Sequence, residues 1–189
     1  MKKIILTLLL LLVLPLELKA LEVTNLEDTL SREGISQEAE YTENDEQVTI
    51  YLFRGSGCSH CAEFLEFLSS NIEENGQYFK LRAYEVWKNP DNNKLAAAVA
   101  KKLGTSVDGV PFIVVGDQYF SGFSEEIGNQ IMAKIKEEYE SEDRVDVLST
   151  IDLSNLESND TLVIVGICAV IVVLVGAVVF AKKKNKETI

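Results

Sequence analysis

With three cysteines, one histidine, one tryptophan and three prolines among 189 residues, the chain is poor in residues on which several protein classes depend. Three thiols cannot build the multi-bridge framework of a small secreted scaffold. A single histidine excludes a His-rich metal site. Basic residues are scarce as well: 18 Lys and Arg stand against 30 Asp and Glu, a formal charge of -12. A surface of that sign repels phosphate backbones and argues against nucleic acid as a partner. No internal repeat is visible. Long apolar runs are confined to two places, one near each end, so the 47% hydrophobic content overstates an ordinary soluble middle.

Those two runs set the expected organisation. Met1-Lys2-Lys3 leads into an uncharged stretch from Ile4 to Leu14, then Pro15 and polar residues ending at Lys19-Ala20. A basic start, a short apolar run and a small residue describe a signal peptide over 1–20. From Leu162 to Ala181 the chain again carries no charge, long enough for a transmembrane helix of about 20 residues over 161–181. Acidic residues precede it, and a basic tail (182–189) with Lys182, Lys183, Lys184 and Lys186 follows. Basic flanks stay in the cytoplasm, so the expectation is a single-pass protein of the cell membrane with its domain extracytoplasmic and its C-terminus cytoplasmic. Cys168 falls inside the apolar segment and is expected to be inert. Between positions 21 and 160 there are 28 acidic and 11 basic residues. Positions 21–46, with nine acids and one base, read as a solvated acidic arm holding a short helix near Leu26 to Arg32. Positions 140–160 read as an acidic tether.

The folded unit is expected over 47–139. Val48 to Phe53 is rich in β-branched and aromatic residues and predicts a strand. After Arg54-Gly-Ser-Gly come Cys58-Ser59-His60-Cys61, and then Cys61, Leu65, Leu68 and Ile72 at helical spacing. Phe79 to Trp87 alternates as a second strand, Asp91 to Leu103 is an Ala-rich helix, and Gly104 is its stop. Val110 to Val115 is a third strand and Gly116-Asp117 a turn into a fourth, Gln118 to Ser121. Ser124-Glu125-Glu126 begins a helix to about Tyr139. The predicted order is βαβ-α-ββα, a central mixed α/β sheet flanked by helices.

Two cysteines separated by two residues, where a strand turns into a helix, form a dithiol that can close reversibly. Cys58 at the helix N-terminus meets backbone N–H groups and the dipole, which favour the attacking thiolate. Cys61, one turn in, is expected to be more buried and to resolve the intermediate. On Cys58-Ser-His-Cys61 after the first strand and Gly109-Val-Pro111 before the third, positions 47–139 resemble the thioredoxin superfamily. The resemblance implies a thioredoxin-like fold and a cis Pro111 facing the cysteines, with Val110 pairing its backbone with an extended substrate. It also implies that Ser59 and His60, between the cysteines, tune the redox poise. His60 before Cys61 is similar to the Cys-Pro-His-Cys of Dsb-type oxidases, with Ser59 in place of their proline. The sequence departs from the family in three ways. It lacks the large helical insertion of Dsb-type oxidases, carries Gly57 where many members have tryptophan, and carries Leu52 where many keep a buried acid, which leaves Glu85, water or substrate to assist deprotonation of Cys61.

These residues point to an extracytoplasmic protein thiol–disulfide oxidoreductase with no cofactor and no metal. Its substrates would be protein thiols and disulfides, and a membrane redox partner would reset the dithiol. Oxidation of substrate thiols is favoured on His60, and reduction of disulfides is the alternative. A metal site on Cys58, His60 and Cys61 lacks a fourth ligand, and a non-catalytic module leaves the intact dithiol unexplained.

Overall fold

In the computed structural model of the chain, residues 21–153 are described. The expected signal peptide (1–20), the last part of the tether (154–160), the membrane segment (161–181) and the basic tail (182–189) lie outside the described residues. Among the described residues no helix is long and apolar enough to cross a membrane. In chain order the elements are β1 (Val23–Thr24), α1 (Leu26–Glu33), β2 (Val48–Arg54), α2 (Ser59–Ser70), α3 (Ile72–Asn75) and β3 (Phe79–Glu85). They continue with α4 (Pro90–Lys102), β4 (Phe112–Val115), β5 (Gln118–Ser121) and α5 (Glu125–Glu140), and a single 3₁₀ turn follows at Leu148–Thr150.

The strands form one mixed sheet in the order β1-β3-β2-β4-β5. β2 runs parallel to β3 and antiparallel to β4, so it lies at the centre, with Leu52 opposite both Ala83 and Ile113. Alternation along β2 divides the apolar side chains between two faces. Val48, Ile50 and Leu52 join Phe64, Leu65 and Leu68 of α2 and Ile131 and Ile135 of α5 in the main core. Phe53 stacks instead on Tyr84 and packs against Phe112. α4 touches β2 and β3 and buries Leu95, Ala96 and Val99 apart from the main core. A sheet covered on both faces, with a parallel pair at its centre, is the arrangement the thioredoxin resemblance implies.

Residues 21–46 differ from the solvated arm expected of them. β1 pairs antiparallel with β3 through Val23↔Tyr84 and Thr24↔Ala83. α1 is capped by Asn25, whose side chain accepts from Asp28 N, and ends on Gly34 at φ 71°. Leu26 and Leu30, one turn apart, are 0% and 1% exposed and belong to the main core. Complete burial of a leucine contributes roughly 1.5–3 kcal/mol, so two such anchors hold a segment that carries nine acids and one base. Tyr41 adds a third, stacking on Phe79 and donating its hydroxyl to Phe79 O at 2.8 Å.

The tether also begins as folded chain. Val147 is 5% exposed, Val145 N donates to Glu138 Oε2, and Tyr51 donates its hydroxyl to Asp146. The Arg144 guanidinium donates to Glu46 O and Tyr139 O. The compact unit ends at Ile151.

Candidate active site

β2 stops at Arg54 because two glycines follow it. Gly57 has φ 79°, a left-handed conformation that residues with a Cβ rarely adopt. Gly55 makes room of another kind: a Cβ there would lie 2.2 Å from Cδ2 of Trp87, so the indole that covers the turn could not keep its place. The turn closes with Cys58 N donating to Gly55 O at 3.2 Å, and the chain then enters α2.

Cys58 is the N-cap of α2, and its sulfur accepts from Cys61 N at 3.2 Å. The two sulfurs form a disulfide across a Cα–Cα distance of 5.2 Å. Cys58 is 9% exposed and Cys61 2%, so an incoming group reaches Cys58 first. That asymmetry follows from the helix, since the cap faces outward while Cys61, one turn in, faces the sheet. Among the described residues no group of three or more His, Cys, Asp and Glu side chains is placed to hold a metal.

The loop before β4 faces the same sulfur. The Val110–Pro111 peptide bond is cis, in the form implied by the family resemblance. Cys58 Sγ lies 3.7 Å from Val110 O. Pro111 is buried and Val110 half-buried, and Pro111 O accepts from Gly122 N at 2.8 Å, which fixes the loop to the end of β5. Cys58, Cys61, Val110 and Pro111 are therefore brought together.

His60 is turned elsewhere. Its side chain is 62% exposed, and Nδ1 meets Glu63 Oε2 at 2.9 Å, one turn along α2. It makes no hydrogen bond to either sulfur. Ser59 is exposed at the first position of the helix.

Three further residues complete the site, and of these only Glu85 is reached from the sequence, as an aid to deprotonating Cys61. The Glu85 carboxylate accepts from Ser56 N and Trp87 N on one oxygen and from Lys88 N on the other. Burial pushes its pKa up, but these N–H donors outweigh it and hold the carboxyl below its ordinary value. Glu85 is thus an anion that fixes the turn and, with its carboxyl held below the ordinary value, is poorly suited to take a proton from Cys61. Trp87, which the alternation places at the end of the second strand, lies two residues beyond β3 and is 59% exposed above Gly55. Asn92 is fully buried; its Nδ2 donates to Glu85 O and Glu22 O, and its Oδ1 accepts from Glu22 N, pinning the start of the fold to the site. These contacts join distant parts of the chain and leave no local signature. Leu52 is fully buried, so no acid stands at that strand position.

No family model matches the chain, and no curated protein matches it. A solved structure, the catalytic domain of Proteus mirabilis ScsC, is similar at 14% identity with a TM-score of 0.37, covering 60% of this chain and 98% of that one. A likeness that distant carries no chemistry to this chain.

Proposed function

We propose that the chain is an extracytoplasmic, membrane-anchored thiol–disulfide oxidoreductase that acts on proteins and oxidises their thiols. The observation that carries the reading is the Cys58–Cys61 disulfide capping α2, with Cys58 the more exposed sulfur and Val110 O 3.7 Å from it. A substrate thiolate attacks Cys58 Sγ, the disulfide breaks, and its electron pair leaves on Cys61, one turn into α2. A second substrate thiolate then attacks the substrate sulfur of the mixed disulfide and expels Cys58 as thiolate. Two electrons pass from substrate to protein, and the two protons released by the substrate thiols match those the dithiol takes up. Val110 backbone groups, presented by the Pro111 loop beside Cys58, align an extended client. A membrane partner accepts the electrons and restores the disulfide.

The alternative direction, reduction of client disulfides, has its own support. Glu63 pairs with His60 and would offset an imidazolium charge near the sulfurs, which weakens the case for a strongly oxidising couple. Equilibration of the full chain with glutathione separates the two. A potential near about −120 mV fits an oxidase and one near about −270 mV a reductase. Absence of any exchange between the Cys58–Cys61 pair and glutathione would remove both.

The apolar segment at 161–181, the basic residues after it and the leader at 1–20 support the anchored topology. Protease protection of the C-terminal tail in intact cells, with the domain degraded, tests it. The opposite pattern would reverse the orientation.

A further inference from the structure

The last residue of β2 is charged although its strand parity places it towards the core. Val48, Ile50 and Leu52 alternate onto the face beneath α2, and Arg54 continues the series with a side chain only 6% exposed. Its Nη1 meets Glu33 Oε1 at 2.5 Å, and Glu33 is 18% exposed. Its Nε, also buried, has no hydrogen-bond partner. Glu33 is the last residue of α1, where a carboxylate opposes the helix dipole, so the helix itself gains nothing from the charge. Buried ion pairs also contribute little net stability compared with apolar side chains of similar size. Neither partner is explained by the element that carries it.

Both partners sit on segments that adjoin those carrying the two cysteines. Glu33 lines a cavity of about 430 Å³ together with Ala62, Glu66 and Ser69 of α2. Ala62 follows Cys61, and its N–H donates to Cys58 O at 3.1 Å. On the strand side, the Cys58 N–H to Gly55 O bond closes a four-residue turn, which keeps those two Cα atoms within about 7 Å. Arg54 is one residue, about 3.8 Å, further back. Of the other charges nearby, Glu85, register partner of Arg54, holds three backbone N–H groups, Lys88 acts on Glu85, His60 pairs with Glu63, and Glu66 lines the same cavity as Glu33.

We propose that the buried Arg54–Glu33 pair sets the electron affinity of the Cys58–Cys61 couple, Arg54 stabilising the thiolate and Glu33 restraining it. This rests on the reading of the two cysteines as a redox couple. In a glutathione buffer the disulfide takes two electrons and two protons from two glutathione molecules, giving the dithiol and one glutathione disulfide. A stabilised Cys58 thiolate draws that equilibrium towards the dithiol. One uncompensated charge roughly 10 Å away shifts thiolate formation about tenfold when the effective dielectric constant is near 20.

The test uses the full chain and four variants: Glu33→Gln, Arg54→Gln, the double variant and Arg54→Lys. Two readouts are needed, the equilibrium with glutathione and the pH titration of Cys58 thiolate absorbance. Glu33→Gln is expected to move the equilibrium about tenfold towards the dithiol and to lower the Cys58 pKa. Arg54→Gln is expected to shift both in the opposite sense, the double variant to return near wild type, and Arg54→Lys to stay there. A merely structural pair would leave both readouts unchanged, or move both single variants the same way, and either result overturns the proposal. If Arg54→Gln does not fold, Glu33→Gln decides: an unchanged equilibrium overturns the proposal. A wild-type chain that fails to exchange with glutathione overturns the redox reading itself, an outcome distinct from wild-type exchange with unshifted variants.

Discussion

At the Val48 end of β2 and at its Arg54 end, buried polar groups meet their partners in contrasting ways. Near Val48, Gln47 is 4% exposed, and its amide donates to Thr42 O and Gly76 O while its oxygen accepts from Asn44 N. Beyond the adjoining end of β4, Lys134 is 11% exposed and reaches Glu138, Glu137 and Asp117 at 2.9, 3.0 and 3.2 Å. Glu138 also accepts from Val145 N and packs so close to Gly116 that a Cβ there would meet its Oε1 at 2.5 Å. At the Arg54 end the sulfurs are bound to each other, Arg54 Nε is unpaired, and an indole stands exposed. Gln47 and Lys134 serve the fold alone; the Arg54 end has partnered groups of its own in Glu85 and Asn92, but adds to them the disulfide, the unpaired Arg54 Nε and the exposed indole. The division follows from the sheet, because the C-terminal ends of the parallel strands β2 and β3 open into the loops that carry the site.

Substitutions that separate the two ends test this division. The largest effect on stability is expected for Lys134→Met, which strands the buried Glu138 carboxylate and costs about 3 kcal/mol in urea unfolding. The glutathione equilibrium of the variant should stay at the wild-type value; a shifted equilibrium would blur the contrast. The pH behaviour of this site has a definite sign. Side-chain bonds, led by that to Glu138 and opposed by burial, raise the Lys134 pKa above 10.5. Its contribution is therefore fully present below that ordinary value and is lost only as pH rises through the higher folded one.

A smaller change in stability, about 1 kcal/mol, is expected for Gly55→Ala, because the exposed indole can swing away from the new Cβ. Since Trp87 is the single tryptophan, its fluorescence reports the displacement directly. Thiol exchange should slow as the turn shifts, and Trp87→Ala in the same chain should restore the stability. Additive rather than compensating changes would show that the contact does not constrain the turn. The smallest effect is expected for Glu85→Gln. Burial raises the Glu85 pKa and the Lys88, Ser56 and Trp87 N–H groups lower it further than burial lifts it. Its contribution is present above the ordinary value of 4.5 and is lost as pH falls through the lower folded value. The variant should lack that part of the acid unfolding profile; an identical profile would show that the three donors bind an amide as well as an anion.

The site was legible where its causes are local. A β-branched run, a glycine turn and a Cys-Ser-His-Cys cap lie in consecutive residues, and Val110–Pro111 sits directly before an apolar strand. The N-terminal segment shows its helix near Leu26 to Arg32 in the sequence but hides its docking, because nine acids over 21–46 outweigh Leu26 and Leu30 in any average, although burial depends on those two side chains alone. The start of the tether hides its docking in the same way, since it rests on Val147 and on hydrogen bonds to distant residues. The Trp87 cover over Gly55 and the Glu85 clamp on Ser56 join chain segments about thirty residues apart, a pairing set by the parallel register of β2 and β3. Arg54 did leave a trace, since it shares the parity of Ile50 and Leu52 and so had to be buried or to bend away.

The most direct test of the account is the fraction of Cys58 and Cys61 alkylated after the full chain has equilibrated across a series of glutathione buffers. The account predicts that the two peptides become reactive together, in one two-electron step, and that Cys58→Ser abolishes the step. Two cysteines that stay locked, or stay free, across the whole series would contradict it.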